Sequence, residues 1–280
     1  MNRSILKGLN DATLTRQEFD TLPFLDQRDY MESAGARFSR LDTHLDPSHI
    51  DWGDRIAANS ELGSLLEDYL NHDGRMLGEK ETINLLELGS SLGAITTLLS
   101  LNVLAKHGLL ERVQVWLSDI YGEGLEKTKR LEFDLFALLE ACGVDRAYFE
   151  LISLKISEAN IICADIARLP KDLPKFDIVL SGFTHHHLNL ENKELACKEM
   201  ERFAASCAFI GVGDLYFEYD EFIEWLEKHT RERNSKGEKV PYALESFIPV
   251  EQHVGLFTES ISRLKRKRPK FYAFYLVKNS

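Results

Sequence analysis

Apolar positions along this chain change rhythm once, near residue 83. Upstream the pattern is polar and irregular, with short helical candidates at 13 to 20, 27 to 40 and 58 to 71 and with Pro23 and Pro47 as breakers. Downstream, strand and helix alternate. Strands are predicted at Ile83 to Leu88, Val113 to Ser118, Ala159 to Ala164, Phe176 to Ser181 and Cys207 to Val212, with helices at 92 to 106, 122 to 141 and 190 to 205 between them. Strands this short and apolar on both faces belong to a parallel sheet covered by helices on either side, which is an α/β doubly wound architecture. Tyr219, Phe222, Ile223 and Leu226 recur at helical spacing and predict an amphipathic helix over 218 to 230. Phe271 to Val277, aromatic and β-branched, predicts a closing strand. The chain thus divides into a helical extension over 1 to 80, expected to cover the site and shape it, and a sheet domain over 81 to 280.

In an open parallel sheet, ligands sit beyond the carboxyl ends of the strands, so the residues just after each strand carry the chemistry. The first strand runs into Glu87-Leu88-Gly89-Ser90-Ser91-Leu92-Gly93. Gly89 and Gly93 permit close approach of a ligand to the backbone, and Glu87 offers a carboxylate to a cationic or hydroxyl-bearing group. Ser91 stands where the dinucleotide fingerprint has its second glycine, which disfavours a pyrophosphate on the helix N-terminus. The second strand delivers Asp119, the third Ala164-Asp165-Ile166, and the fourth Ser181-Gly182-Phe183-Thr184-His185. A carboxylate at the end of the second strand can accept hydrogen bonds from two ribose hydroxyls. Each acid also has a plainer use: Asp119 can cap a helix starting near Gly122, Asp165 a turn before Pro170, and Glu87 can bind backbone amides.

The order Glu87 to Gly93, Ser118-Asp119, Ala164-Asp165-Ile166 and Phe176-Asp177-Ile178-Val179-Leu180-Ser181 resembles the class I S-adenosylmethionine-dependent methyltransferases over about residues 83 to 215. The resemblance implies a Rossmann-like, mainly parallel seven-stranded sheet, S-adenosyl-L-methionine as cofactor, and methyl transfer to a small-molecule acceptor at oxygen or nitrogen. It further implies that Glu87, Gly89, Ser90, Ser91 and Gly93 line the methionine and ribose end, and that Asp119 with Ile120 holds the ribose. Ala164, Asp165 and Ile166 would meet the adenine, and Ser181 and Gly182 would face the sulfonium. The separation of Gly89 and Asp119 is longer than is common in the family, so the first helix or the loop after it is extended. The run ending in His186-His187-Leu188 is similar to the fourth-strand motif of many small-molecule members, whereas the Asn-Pro-Pro-Tyr or Asp-Pro-Pro-Tyr motif of base N-methylating enzymes is absent. Methyl transfer from a sulfonium is an in-line displacement with a good leaving group, so alignment and exclusion of water are the main tasks. Where the acceptor must lose a proton, His185, His186 or His187 is placed by sequence to take it.

Charge narrows the partners. A formal net charge of −11 works against attraction to nucleic acid or an anionic membrane. The basic run Arg263, Lys265, Arg266, Lys267, Arg268, Lys270 is expected to be a solvated connection, its alternative being a grip on a nucleic-acid acceptor. The N-terminus carries no signal-like apolar run and no stretch reaches the roughly 18 apolar residues of a membrane span, so a cytoplasmic protein is expected. Cys142, Cys163, Cys197 and Cys207 show no C-x-x-C pairing, and Cys163 and Cys207 fall in apolar runs as small hydrophobes. No metal site is indicated, since His185 and His187 have no cysteine or acid at ligand spacing. Tyr30, Arg37, His44 and Trp52 are the acceptor-side candidates of the extension, and Asp214 to Tyr219 is either helix-entry packing or a cation-binding wall. Two other functions compete: a catalytically inactive methyltransferase-like partner subunit, and a nucleic-acid methyltransferase using 263 to 270. Self-association remains open.

Overall fold

The computed structural model describes residues 45, 52–215, 248–259, 261–268 and 271–278. The helices expected at 13 to 20, 27 to 40 and 218 to 230, together with Tyr30, Arg37, His44 and residues 216 to 219, lie outside the described residues. Among the described residues no helix is long and apolar enough to cross a membrane.

Seven strands form one sheet in the order β3-β2-β1-β4-β5-β7-β6. They are β1 Ile83–Leu88, β2 Val113–Asp119, β3 Asn160–Cys163, β4 Phe176–Gly182, β5 Ala204–Leu215, β6 Ile261–Arg268 and β7 Phe271–Val277. β1 pairs in parallel with β2 and β4, β2 with β3, and β4 with β5, while β7 runs antiparallel between β5 and β6. The chain therefore turns back after β1 to β3 and crosses to β4, so β1 and β4 are the neighbours at which the strand order reverses. That is where an open sheet of this kind leaves a crevice at its carboxyl edge.

The helices are α1 Trp52–His72, α2 Arg75–Glu79, α3 Ile95–Lys106, α4 Gly122–Lys129, α5 Leu135–Ala141, α6 Phe149–Ser157, α7 Leu190–Phe203 and α8 Val250–Val254. Alternation along each strand sends side chains to two cores. Leu85, Ile178, Leu180 and Phe209 join α1, α3 and α6 on one face, while Leu86, Leu88, Val179, Ile210 and Phe274 join α7 on the other. Both faces being covered explains why the strands read as continuous apolar runs.

Three sequence expectations are corrected here. The single helix over 122 to 141 is two, α4 and α5: Leu131 takes φ +56°, which ends the first, and Asp134 restarts the second by accepting from Ala137 N at 2.9 Å. No glycine or proline marks that break. Arg263 to Arg268 of the basic run lie in β6, at the edge of the described sheet, rather than in a connection, and Lys270 lies outside the described residues. Cys163 is exposed and Cys207 half-buried at φ +61°, whereas Cys142 and Cys197 are the buried cysteines.

Residues 52 to 72 build the wall of the first core: Leu62, Leu65, Leu66 and Tyr69 are buried against the sheet. Tyr69 donates to the Cys207 carbonyl at 2.6 Å. Close approach of α1 is possible because β5 presents Gly211, where a methyl group would stand 2.7 Å from Leu62 Cδ1 and 2.4 Å from the Phe209 ring. Gly211→Ala should therefore cost about 1–3 kcal/mol by overpacking, read as a lower urea midpoint at unchanged slope. An unchanged midpoint would show that α1 does not press on β5 as described.

Candidate functional site

The turn after β1 is held by β2 and α4. Gly89 N and Ser90 N donate to the Ser118 carbonyl at 2.7 and 2.9 Å, and Gly93 N donates to Thr128 Oγ1 at 2.9 Å. Ser91 N donates to Asp119 Oδ2 and Tyr121 N to Asp119 Oδ1, both at 2.8 Å. One carboxylate thus fixes both the turn after β1 and the turn after β2. The loop needs that anchoring, because Ser91 and Ala94 join Gly89 and Gly93 at positive φ, and the two non-glycine residues carry left-handed strain.

Gly89 has a specific tenant. A methyl group there would fall 2.2 Å from Thr184 Oγ1, and Thr184 donates towards the carbonyls of Gly182, Gly89 and Leu88. The crossing of the β1 and β4 turns is closed by this threonine. Gly182 is likewise backed by Thr96 and Asn59, and Thr96 Oγ1 donates to Asn59 Oδ1 at 2.8 Å.

Glu87 does not point to the carboxyl edge. It shares strand parity with Ile83 and Leu85, so it faces α3, where its Oε2 accepts from Thr97 N at 3.1 Å and Thr97 Oγ1 at 2.6 Å. The N-cap of α3 is Ala94, which has no capping oxygen, and Glu87 supplies the missing acceptor from the strand below. Burial outweighs those hydrogen bonds and pushes its carboxyl up from 4.5 to about 7. Asp119 is also raised by burial, against the hydrogen bonds from Tyr121 and Ser91. Asp165 Oδ1 accepts from Ala167 N at 2.9 Å, closing a short turn.

The expected cofactor residues therefore fall into two sets. Glu87, Ser90, Gly93, Ala164, Asp165, Ile166 and Ser181 are buried, whereas Gly89, Ser91, Asp119, Ile120 and Gly182 are half-exposed. The half-exposed set runs along the ends of β1, β2 and β4, and Phe183 and Thr184 continue it. Leu45, from the extension, lies against this loop: a methyl group on Gly93 would stand 2.6 Å from Leu45 Cδ2.

The three histidines form a short 3-10 turn, His185–His187, and enter different surroundings. His185 turns inward, with Nδ1 2.8 Å from His253 Nε2, and burial holds its ring down at about 4. His186 meets Asp214, one residue before the end of β5: His186 Nδ1 lies 2.5 Å from Asp214 Oδ1, and His186 N donates to Oδ2 at 2.8 Å. Burial alone would raise the Asp214 carboxyl, but the imidazole against it more than offsets this and holds it well below the usual range. His187 is half-buried, its ring 3.9 Å from that of His186. The carboxylate that distinguishes His186 lies 28 residues downstream, and only the parallel pairing of β4 with β5 brings it near.

No protein-family model and no curated protein sequence matches the chain. Solved structures do. Magnesium protoporphyrin IX methyltransferase (ChlM) from Synechocystis PCC 6803 with bound SAH superposes at TM-score 0.52 and 14% identity, over 91% of this chain and 99% of that one. Its SAM-bound structure gives TM-score 0.52 and 14% identity, over 96% and 99%. PH0226 protein from Pyrococcus horikoshii OT3 gives TM-score 0.55 and 14% identity, over 87% and 99%. The chain has the fold of the class I S-adenosylmethionine-dependent methyltransferases. At such identity the likeness is one of backbone, and the α/β, mainly parallel seven-stranded sheet expected from the sequence is the part it establishes.

The position of Glu87 has a consequence for stability. Its folded pKa lies above the ordinary value, so the stability it contributes is complete below about 4.5 and is lost as pH rises through about 7. The loss is on the order of 3 kcal/mol. Glu87→Gln keeps an oxygen acceptor for Thr97 and carries no charge, so its stability should fall less than that of the wild type as pH rises across that window in urea titrations. A variant as pH-dependent as the wild type would remove Glu87 as the source.

Proposed function

We propose that this methyltransferase-fold protein transfers the methyl group of S-adenosylmethionine to a small-molecule acceptor, at oxygen or nitrogen. The observation that carries the reading is the half-exposed line at the carboxyl ends of β1, β2 and β4, centred on Asp119. Each Asp119 oxygen accepts one backbone N–H, and a carboxylate has about four acceptor sites, so capacity remains for the two hydroxyls of a ribose. Gly89, Ser91 and Gly182 line the approach, and Ala164, Asp165 and Ile166 back the adenine side.

When bound, the cofactor supplies an electrophilic methyl on a good leaving group. The chain's own task is then to orient the acceptor, exclude water and remove a proton where one must leave. Of the three histidines, His186 is suited to the last step. Asp214 fixes Nδ1 as the hydrogen-bearing nitrogen, so Nε2 is the basic nitrogen of the ring. The net charge of −11 favours a cationic cofactor over a polyanionic acceptor, and the neighbour named for magnesium protoporphyrin IX has a small-molecule acceptor.

Calorimetry with S-adenosylhomocysteine and its 2′-deoxy analogue tests the cofactor reading. Wild type should bind the first at least tenfold more tightly, about 1.4 kcal/mol, and Asp119→Ala should bind both weakly and nearly equally. Because Asp119 also holds the Ser91 turn, the loss of discrimination between the two ligands is the informative quantity. No binding by folded wild type would overturn the reading. For the base, Asp214→Asn should lower turnover on a hydroxyl or protonated-amine acceptor by about 10²–10⁴ with little change in cofactor affinity. An unchanged rate would exclude the dyad from proton transfer.

A further inference from the structure

The sheet face covered by α7 carries a second group of reactive side chains that methyl transfer does not use. His185 after β4, Cys197 in α7 and His253 in α8 each bring a ligand atom within 4.8 Å of the others. His185 and Cys197 are 0% exposed and His253 1%. They come from three separate segments, 12 and 56 residues apart in sequence, so no local spacing announces them.

Their hydrogen bonds do not close. Tyr272 and His253 Nδ1 share a short hydrogen bond, His253 Nε2 faces His185 Nδ1, and His185 Nε2 is buried with no partner. If the Tyr272 hydroxyl donates, His253 Nε2–H donates to His185, whose Nε2–H then points at no acceptor. If the chain runs the other way, His185 Nε2 is a lone pair with no donor. In both tautomers one ring nitrogen is orphaned inside the core, a defect of about 1–3 kcal/mol.

We infer that His185, Cys197 and His253 form a zinc site. Two imidazoles and a thiolate are three of the four donors of a tetrahedral zinc, and an ion on His185 Nε2 gives that atom the partner the protein does not, with His253 Nε2 turning from His185 Nδ1 to the ion and a water completing the four. Ligand atoms of one tetrahedral zinc stand about 3.3–3.8 Å apart, so a group spread over at most 4.8 Å needs side-chain rotation rather than backbone movement. Binding replaces the Cys197 thiol proton, which leaves to solvent, and forms the sulfur–zinc bond. The buried Lys193 ammonium and the buried Asp214 and Glu201 carboxylates all act on this cluster. Lys193 itself is held by the carbonyls of His185 and Leu188. The ion ties the turn after β4 to α7 and α8, and so fixes His186, the next residue along, against Asp214. This site stands independently of the methyl-transfer reading.

The test uses the whole chain. Purified protein, analysed by mass spectrometry for metals after dialysis, should hold one zinc, and a strong chelator should lower its Tm. Cobalt(II) exchanged into it should give visible ligand-field bands and a sulfur-to-cobalt charge-transfer band in the near ultraviolet. Cys197→Ser should lose the charge-transfer band. A second variant guards against misfolding: with Cys142, Cys163 and Cys207 all changed to Ser, the band should persist. Wild type that binds neither zinc nor cobalt, a band that survives Cys197→Ser, or a band lost from the triple variant while its circular dichroism is native would overturn the assignment.

Discussion

Two carboxylates, one buried and one partly exposed, hold the edge of the sheet where the candidate site forms. Glu87 caps α3 through Thr97, and Asp119 joins the turns after β1 and β2 through Ser91 and Tyr121. Without them the loop between β1 and α3 would have to keep Ser91 and Ala94 in left-handed backbone with little to repay the strain. The work divides by strand parity and position: Glu87 faces α3 and is enclosed, while Asp119, the last residue of its strand, stays half-exposed. The first is a structural cap, and the second is both an anchor and an available acceptor.

The other end of the crevice is organised by β4 and β5. Thr184 closes the gap between the β1 and β4 turns, and the short helical turn after it sends two neighbouring histidines in different directions. His186 meets the Asp214 carboxylate near the end of β5, whereas His185 enters the core beside Cys197 and His253. The packing under α7 and the chemistry at the edge are therefore coupled through one peptide unit. What fixes His185 fixes where His186 can stand.

Much of this was legible in the chain. Apolar runs with no alternation announced a sheet covered on both faces, and Gly89 with Gly93 announced a tight turn, because those signals are local. Glu87 was harder. With both faces apolar, parity does not say which core an odd position faces, and the lack of a capping residue at Ala94 was the only hint that α3 needed an outside acceptor. The α4–α5 break at Leu131 has no residue that requires it. β6 was hidden by its own composition, since an edge strand tolerates charges that read as a solvated connection. The pairing of His186 with Asp214 and the meeting of His185, Cys197 and His253 depend on tertiary contacts across 12 to 68 residues, beyond any spacing rule.

The proposed nucleoside site is the partly exposed edge around Asp119, and a crystal structure of the protein with S-adenosylhomocysteine tests it most directly. Density should run along the ends of β1, β2 and β4, with both ribose hydroxyls in hydrogen-bond range of the Asp119 carboxylate. A nucleoside bound elsewhere, or one at this edge whose ribose avoids Asp119, would contradict it.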